Sequence, residues 1–404
     1  LGKHPFTAVF EDNREYSYFL YFQEEAALDI SGPFDRGLWN RVILQASWND
    51  PSLSRLVASL GALYKAGSSK AVTLSKEETD PHQQYAFQQY GRALKSVQAR
   101  ISANQHREAM KIALIASLLI YCFENLYGEL DTALGHLEGA LRLMHKHLKH
   151  ASRLHKHSEN TSPTSTLDGD LVAAFFRLDS GLLSRDRICD AEDTGSRLGI
   201  NYLEDLCEIP ERFTTISEAR SYLEHIQFPT IPSLSRDLLL SVSESPFPIN
   251  IDRNTRDMYT TLSSQLRRWN VAFVPLYAEA FTENGKKNFV AAAMLRVRAL
   301  STELASKRVC AEELSSSDLF NTESREIVDL SKLVAADPSF RKSFVWDCGI
   351  VPGLSILIAA CLDMSIRKEA LQVLKQIVPR REGTRDSLTA VQFGERCLQV
   401  EGGD

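Results

Sequence analysis

The sequence predicts an all-α fold, a multi-helix array of antiparallel helix hairpins with little or no sheet. Three observations predict it. Apolar residues recur at helical spacing, as in Leu53, Leu56, Val57, Leu60 and Leu63. Asp-Pro pairs at 50–51 and 80–81 each supply a cap followed by a proline in the first helical turn. No convincing run of alternating apolar residues marks a strand.

Asp50-Pro51 opens the helix that carries the first stripe, with Tyr64 at its end. Asp80-Pro81 opens the next, with Tyr85, Tyr90, Leu94, Val97 and Ile101 at helical spacing. Residues 107–126 are apolar on most faces and read as a buried central helix. Gly128 parts them from a helix bearing Leu130, Leu134, Leu137, Leu141 and Met144, so 107–126 and 129–148 form a helix hairpin. Its GELDTALGHLEGAL wording resembles the second helix of a tetratricopeptide-type hairpin, but no fixed period is sustained and no repeat array is expected.

Residues 149–169 are basic first, then rich in Ser, Thr and Asn. They read as a mobile polar linker between an N-terminal helical half (1–148) and a C-terminal half (170–404) of one domain spanning 1–404. A helix follows at 170–183. Prolines 210, 229, 232, 246 and 248 break residues 190–255 into short helices and extended loops. Helices resume at 258–281, 287–307 and 322–335. A buried segment from Ile350 meets a break at Leu362-Asp363-Met364, and an amphipathic helix then runs to Pro379-Arg380-Arg381-Glu382-Gly383. A last helix starts near Asp386.

Net charge is −6, without the basic excess that a phosphate-gripping protein carries, so no direct nucleic-acid contact is expected of this chain. The seven cysteines are widely spaced and include no Cys-x-x-Cys pair, which points to reduced core thiols and leaves no zinc cluster in this chain. The N-terminus is polar, unlike a signal peptide. The apolar runs 112–123 and 350–362 read as core helices too short to cross a bilayer, so no membrane partner is expected. Glycine-rich phosphate loops, the nucleophile elbow and the His-Glu-x-x-His metal motif are absent, and neither cofactor nor metal is expected.

Several groups carry candidate chemistry. Glu124 and His136 lie on the two arms of the 107–148 hairpin, where a carboxylate and an imidazole could do acid–base work or simply pack as a pair. Arg177 and Asp179 sit between apolar residues in FFRLDSGLL. Buried charges need partners, so they either bridge helices or line a cavity. Trp269, Phe273 and Tyr277 share one helical face, and Trp346 opens the C-terminal section; such aromatics form core or the wall of an apolar pocket. His145, His147, His150, His155 and His157 alternate with lysine and arginine, which repel a metal cation and suit a solvated basic helix end. Arg380 and Arg381 follow Pro379, placing cations near helix C-terminal carbonyls.

Read together, WDCGIVPGLSILIAACLDMSIRKEALQVLKQIVPRREG from Trp346 and GPFDRGLWNRVILQAS with DPSLSRLVASLGALYKA at 32–66 resemble the regulatory domain of fungal binuclear zinc-cluster transcription factors. In that family a Gly-Ile-Ile-Pro-like turn, an Asp-containing break, a helix and a PRREG stop come in this order, and FFRLD resembles an Arg-Leu-Asp segment of the same domain. The resemblance implies an all-α regulatory domain that controls transcription in response to a small metabolite or a partner. The zinc-cluster module of the family is N-terminal to this domain; the chain reads as a fragment without it or as a homologue that never had it. The alternative is a cofactor-free cyclase or pericyclase of fungal secondary metabolism, shaping a hydrophobic intermediate in an apolar helical pocket. Ligand-pocket candidates are Glu124, His136, Arg177, Asp179, Trp269, Phe273 and Trp346. The expected partner is a hydrophobic small molecule, with a homodimer allowed. Location is nuclear for the regulator and cytoplasmic for the enzyme.

Overall fold

The computed structural model describes residues 10–34, 36–69, 80–103, 106–155, 169–183, 208–243, 251–311, 321–340 and 343–400. The chain divides into two compact units: Leu1–Phe176 with Phe344–Trp346, and Arg177–Ser343 with Asp347–Asp404. Both are helical, as the apolar periodicity predicts.

In the first unit, Asp12 accepts the Glu15 N–H at 2.7 Å and starts α1 (Asn13–Tyr21). A π-helical turn, Phe22–Ala26, leads into α2 (Ala27–Ser31), and a second, Leu38–Ile43, into α3 (Leu44–Asn49). The Asp50-Pro51 signal opens α4 (Pro51–Ser69), with the Asp50 carboxylate accepting the Ser52 N–H at 2.8 Å. The Asp80-Pro81 signal opens α5 (Pro81–Ala103) in the same way, through the His82 N–H at 2.7 Å. Helix α4 packs against α1, α5 and α6 (His106–Tyr127), which in turn packs on α7 (Leu130–His155). Gly61 permits the α1–α4 crossing, since a Cβ there would run into the Tyr18 carbonyl. On α5 the buried stripe passes through Tyr85, Ala86, Gln89, Ala93 and Val97, while Tyr90, half-buried, stacks on Phe123 at 4.0 Å.

Helix α6 is longer than its apolar centre: Ala109–Tyr127 has the length and hydropathy to cross a bilayer, a correction to the shorter run read from sequence. It is 78% buried inside the structure, as a core helix is. Gly128, at φ 115°, ends it and turns the chain into α7, giving the expected hairpin. Helix α7 continues to His155, into the stretch 149–169 expected as a linker; residues 156–168, His157 among them, lie outside the described residues. Late in sequence, β1 (Phe344–Val345) and Trp346 belong to this unit. The Trp346 N–H donates to the Ile30 carbonyl at 2.8 Å, and its ring stands 5.5 Å from Trp39 and 5.9 Å from Tyr121.

Helix α8 (Gly169–Leu183) contains the division at Phe176. The second unit continues with α9 (Ile216–Gln227), capped by Thr215, then α10 (Ile231–Ser243) and α11 (Arg253–Ala280), capped by Asp252. Next come α12 (Phe289–Cys310), α13 (Asn321–Ala336), α14 (Val351–Ala360), α15 (Met364–Ile377) and α16 (Ser387–Val400). Helix α12 is the core of this unit. It is buried on nearly every face from Ala291 to Val309 and packs against α10, α11, α13 and α14. Asp363 caps α15 through the Ser365 and Ile366 N–H groups at 2.8 and 3.2 Å, the function of the break seen in sequence. Between α15 and α16, β2 (Arg381–Glu382) and β3 (Arg385–Asp386) form a short antiparallel pair, Glu382 opposite Arg385.

Candidate functional site

The chemistry of the second unit concentrates where α8, α9, α10, α12 and the start of α14 converge. Arg220 and Glu224 are four residues apart on α9 and therefore share a face. One Glu224 oxygen, Oε1, accepts from Arg220 Nε at 2.8 Å and from Arg177 Nε of α8 at 2.9 Å. Arg298 Nη1 of α12 is 3.6 Å from the same oxygen. Arg220 Nη2 also reaches Asp347 Oδ2 at 2.5 Å, just before α14. Burial alone would raise the Glu224 carboxyl, but Arg177, Arg220 and Arg298 outweigh it and bring it down to about 2. The cluster is therefore ionised at neutral pH, and removing one partner would strand a buried charge.

A cavity of about 100 Å³ opens on this cluster, with Arg177, Arg298, Arg385 and Asp347 as its charged lining. Leu234 and Leu238 of α10 and Pro352 and Ile356 of α14 form its apolar wall. A second cavity of about 290 Å³ shares Ser235, Leu238, Pro352, Ile356 and Arg385 with the first and extends along Leu239, Ala359 and Phe393. Gly353 lets α14 approach α12 here; a Cβ on it would lie 2.6 Å from Val297 Cγ1. Cys348 also lines the smaller cavity, where burial first, and then the Asp347 carboxylate, push its thiol up to about 11. It is a neutral thiol at pH 7, not a nucleophile.

The wall of the smaller cavity is fixed by the two sequence motifs around Gly349 and Glu382. Glu382 is fully buried and accepts the N–H groups of Gly349 at 2.8 Å and Val351 at 2.9 Å, which are orphan donors at the α14 N-terminus. Arg380 Nε donates to Glu382 Oε1 at 2.6 Å, and its guanidinium lies 3.9 Å from the Phe340 ring centroid. Beyond its expected place at a helix C-terminus, the buried Arg380 guanidinium is the counterion of the Glu382 cap. Gly349 is required beside it, because a Cβ there would stand 2.5 Å from Glu382 Oε1.

Of the residues singled out in sequence, Arg177 lines the smaller cavity. Asp179 has a side chain outside the described residues. Glu124 and His136 do meet, in the first unit, with His136 Nδ1 2.9 Å from Glu124 Oε2 and the Tyr90 hydroxyl donating to Glu124 Oε1 at 2.9 Å. Neither lines the two cavities, and the His136 side chain is 48% exposed. Trp269 and Phe273 stack in the core at 4.5 Å, with the indole N–H donating to the Ala219 carbonyl at 2.7 Å, and line neither of these two cavities. Trp346 is likewise core, in the first unit.

Sequence reasoning missed Arg220, Glu224, Arg298, Asp347 and Arg385. The Arg-x-x-x-Glu spacing on α9 was the one legible signal; the others come from distant elements. Of the basic histidine group, His145 lies half-buried, its ring 6.5 Å from Phe176. Among the described residues no group of three or more His, Cys, Asp or Glu is placed to hold a metal ion.

Residues 17–175 match the family model described as fungal specific transcription factor domain. The match ends beside the division at Phe176 and does not take in the second unit, whose C-terminal motifs carried part of the resemblance. No curated protein and no solved structure matches the chain.

Proposed function

We propose, from a chain whose residues 17–175 match the family model described as fungal specific transcription factor domain, that it regulates transcription in response to a small molecule held in its second unit. The observation that carries the ligand reading is the pair of adjoining cavities that share Leu238, Ile356 and Arg385. They are concave and mostly apolar, with a few convergent charged groups, which is the usual make-up of a small-molecule site.

The mechanism is a population shift. A ligand that prefers one packing of α10 against α14 raises the population of that packing by its difference in affinity, and the regulated output follows. With a net charge of −6, the chain would act on DNA through another module or a partner and not by its own phosphate contacts. The nucleus is the corresponding location.

Native mass spectrometry of the full chain, incubated with a small-molecule extract of a fungal culture, tests the reading. The expected result is an adduct of one small molecule per chain that is lost in Ile356→Trp, a variant that fills the shared wall of both cavities. The same adduct on both proteins would place the ligand elsewhere and contradict the proposal.

A further inference from the structure

We propose that the exposed apolar face at the C-terminal end of α11 docks a second copy of this chain, antiparallel about a two-fold axis, with Arg268 of each copy against Glu279 of the other.

Helix α11 turns Leu262, Leu266, Trp269 and Phe273 inward and packs on α9 and α12. Its outer face changes character along its length. Thr260, Ser264, Arg267 and Arg268 are exposed and polar. Val271, Val274, Pro275 and Ala278 follow, all exposed, and Phe281 carries the patch past the helix end. Val271 is 71% exposed, Val274 56% and Phe281 52%; Val271 is the most exposed large hydrophobic side chain among the described residues. Single exposed apolar residues are ordinary, whereas a contiguous patch rimmed by charge marks an interaction surface.

Charge selects the occupant. Arg268 stands on the N-terminal side of the patch and Glu279 on its C-terminal side, both exposed. Eleven residues are close to three helical turns, so the two lie on the same edge of the helix, about 16 Å apart. Among the described residues neither side chain has a hydrogen-bond or ion-pair partner. The other charges nearby are paired or balanced. Arg267 lies 3.4 Å from Glu303, and Arg296 holds Glu326 at 2.7 Å. Glu211 and Arg212 bring one charge of each sign beside the helix, where the Phe213 N–H donates to the Ala272 carbonyl. Glu283 extends the acidic end, with Lys286 and Lys287 beyond it.

The midpoint of Arg268 and Glu279 falls beside Val274. A two-fold axis there sets the α11 helices of two copies antiparallel and keeps their charged edges on the same side. Each Arg268 then meets Glu279 of the other copy, while the valines and Pro275 close the middle. The patch is its own complement, as an isologous interface requires. Any other partner needs an acid and a base at the matching spacing; a second copy carries both.

Sedimentation velocity of the full chain from about 1 to about 200 µM is the test. One helix face makes an interface at the small end of the range, so a reversible dimer with a Kd of roughly 1–100 µM is expected. Val274→Glu, at an exposed position, should leave only monomer. Arg268→Glu should weaken the dimer about tenfold, and adding Glu279→Arg should restore it to within about threefold. A chain that stays monomeric at the highest concentration would overturn the proposal. So would a dimer indifferent to Val274→Glu, or a double variant no stronger than Arg268→Glu alone. Helix α11 contributes no lining residue to either cavity, so the small-molecule adduct should survive in all three variants, and the two readings fail separately.

Discussion

The Glu382 carboxylate accepts the Gly349 N–H at 2.8 Å, and with it closes the N-terminus of α14 across a separation of 33 residues. Arg380 supplies the opposite charge at 2.6 Å. The same clamp fixes both ends of a cavity wall, because Cys348 and Gly349 lie on one side of it and Arg385 on the other. Glu382→Gln would leave Arg380 buried without its counterion and should cost about 3–5 kcal/mol in urea denaturation. The double variant Arg380→Met with Glu382→Gln should recover part of that loss, with a coupling of about 1–3 kcal/mol. A single-variant loss under about 0.5 kcal/mol would contradict the clamp.

Glu224 gives the second unit an acid-sensitive element. Its folded pKa, about 2, lies below the ordinary 4.5, so its contribution is complete above pH 4.5 and is lost as pH falls towards 2. The contribution is on the order of 3 kcal/mol. Urea midpoints measured from pH 7 to pH 3 should therefore fall more steeply for the wild-type chain than for Glu224→Gln, which is destabilised throughout and lacks this limb. Parallel curves would show that the three arginines do not hold the carboxyl down.

Trp346 anchors the first unit through Trp39 and Tyr121 at 5.5 and 5.9 Å. Trp346→Ala should cost about 3–5 kcal/mol by leaving a cavity. Trp346→Phe should cost only about 1 kcal/mol, since it keeps a ring and removes an indole N–H that has no hydrogen-bond partner among the described residues. Calorimetric unfolding of both variants orders the two effects; equal losses would place the weight on the indole nitrogen and not on packing.

His136→Ala should change stability by no more than about 1 kcal/mol, because the His136–Glu124 pair is half open to water. It should also leave the small-molecule adduct on the chain unchanged, since neither residue lines the two cavities. A shift in ligand affinity in this variant would mean that the first unit contributes to the site.

The helices were legible because their signals are local. Asp50, Asp80, Asp363 and Asp386 cap the helices that follow them, and Gly128 breaks the hairpin where the sequence places the break. The site was legible only in Arg177. Glu224 looks on α9 like any solvated i,i+4 partner of Arg220, and the pair's distant partners, Arg298 beside Glu224 and Asp347 beside Arg220, lie 74 and 123 residues beyond Glu224. The aromatic stripe of Trp269 and Phe273 is buried as its spacing implies, but helical spacing shows that a face is buried without showing whether protein or ligand covers it. Glu382 was seen as part of a helix stop, since a cap for a helix more than thirty residues upstream leaves no local mark.

The most direct test of the central claim, that occupancy of the second-unit cavities sets transcriptional output, is a reporter assay of the full chain fused to a heterologous DNA-binding module. Wild type and Ile356→Trp are compared with and without the small-molecule extract of a fungal culture. The account predicts that the extract shifts reporter output from the wild-type fusion, while the variant, expressed at the same level, gives a fixed output. Equal responses of the two fusions would contradict it.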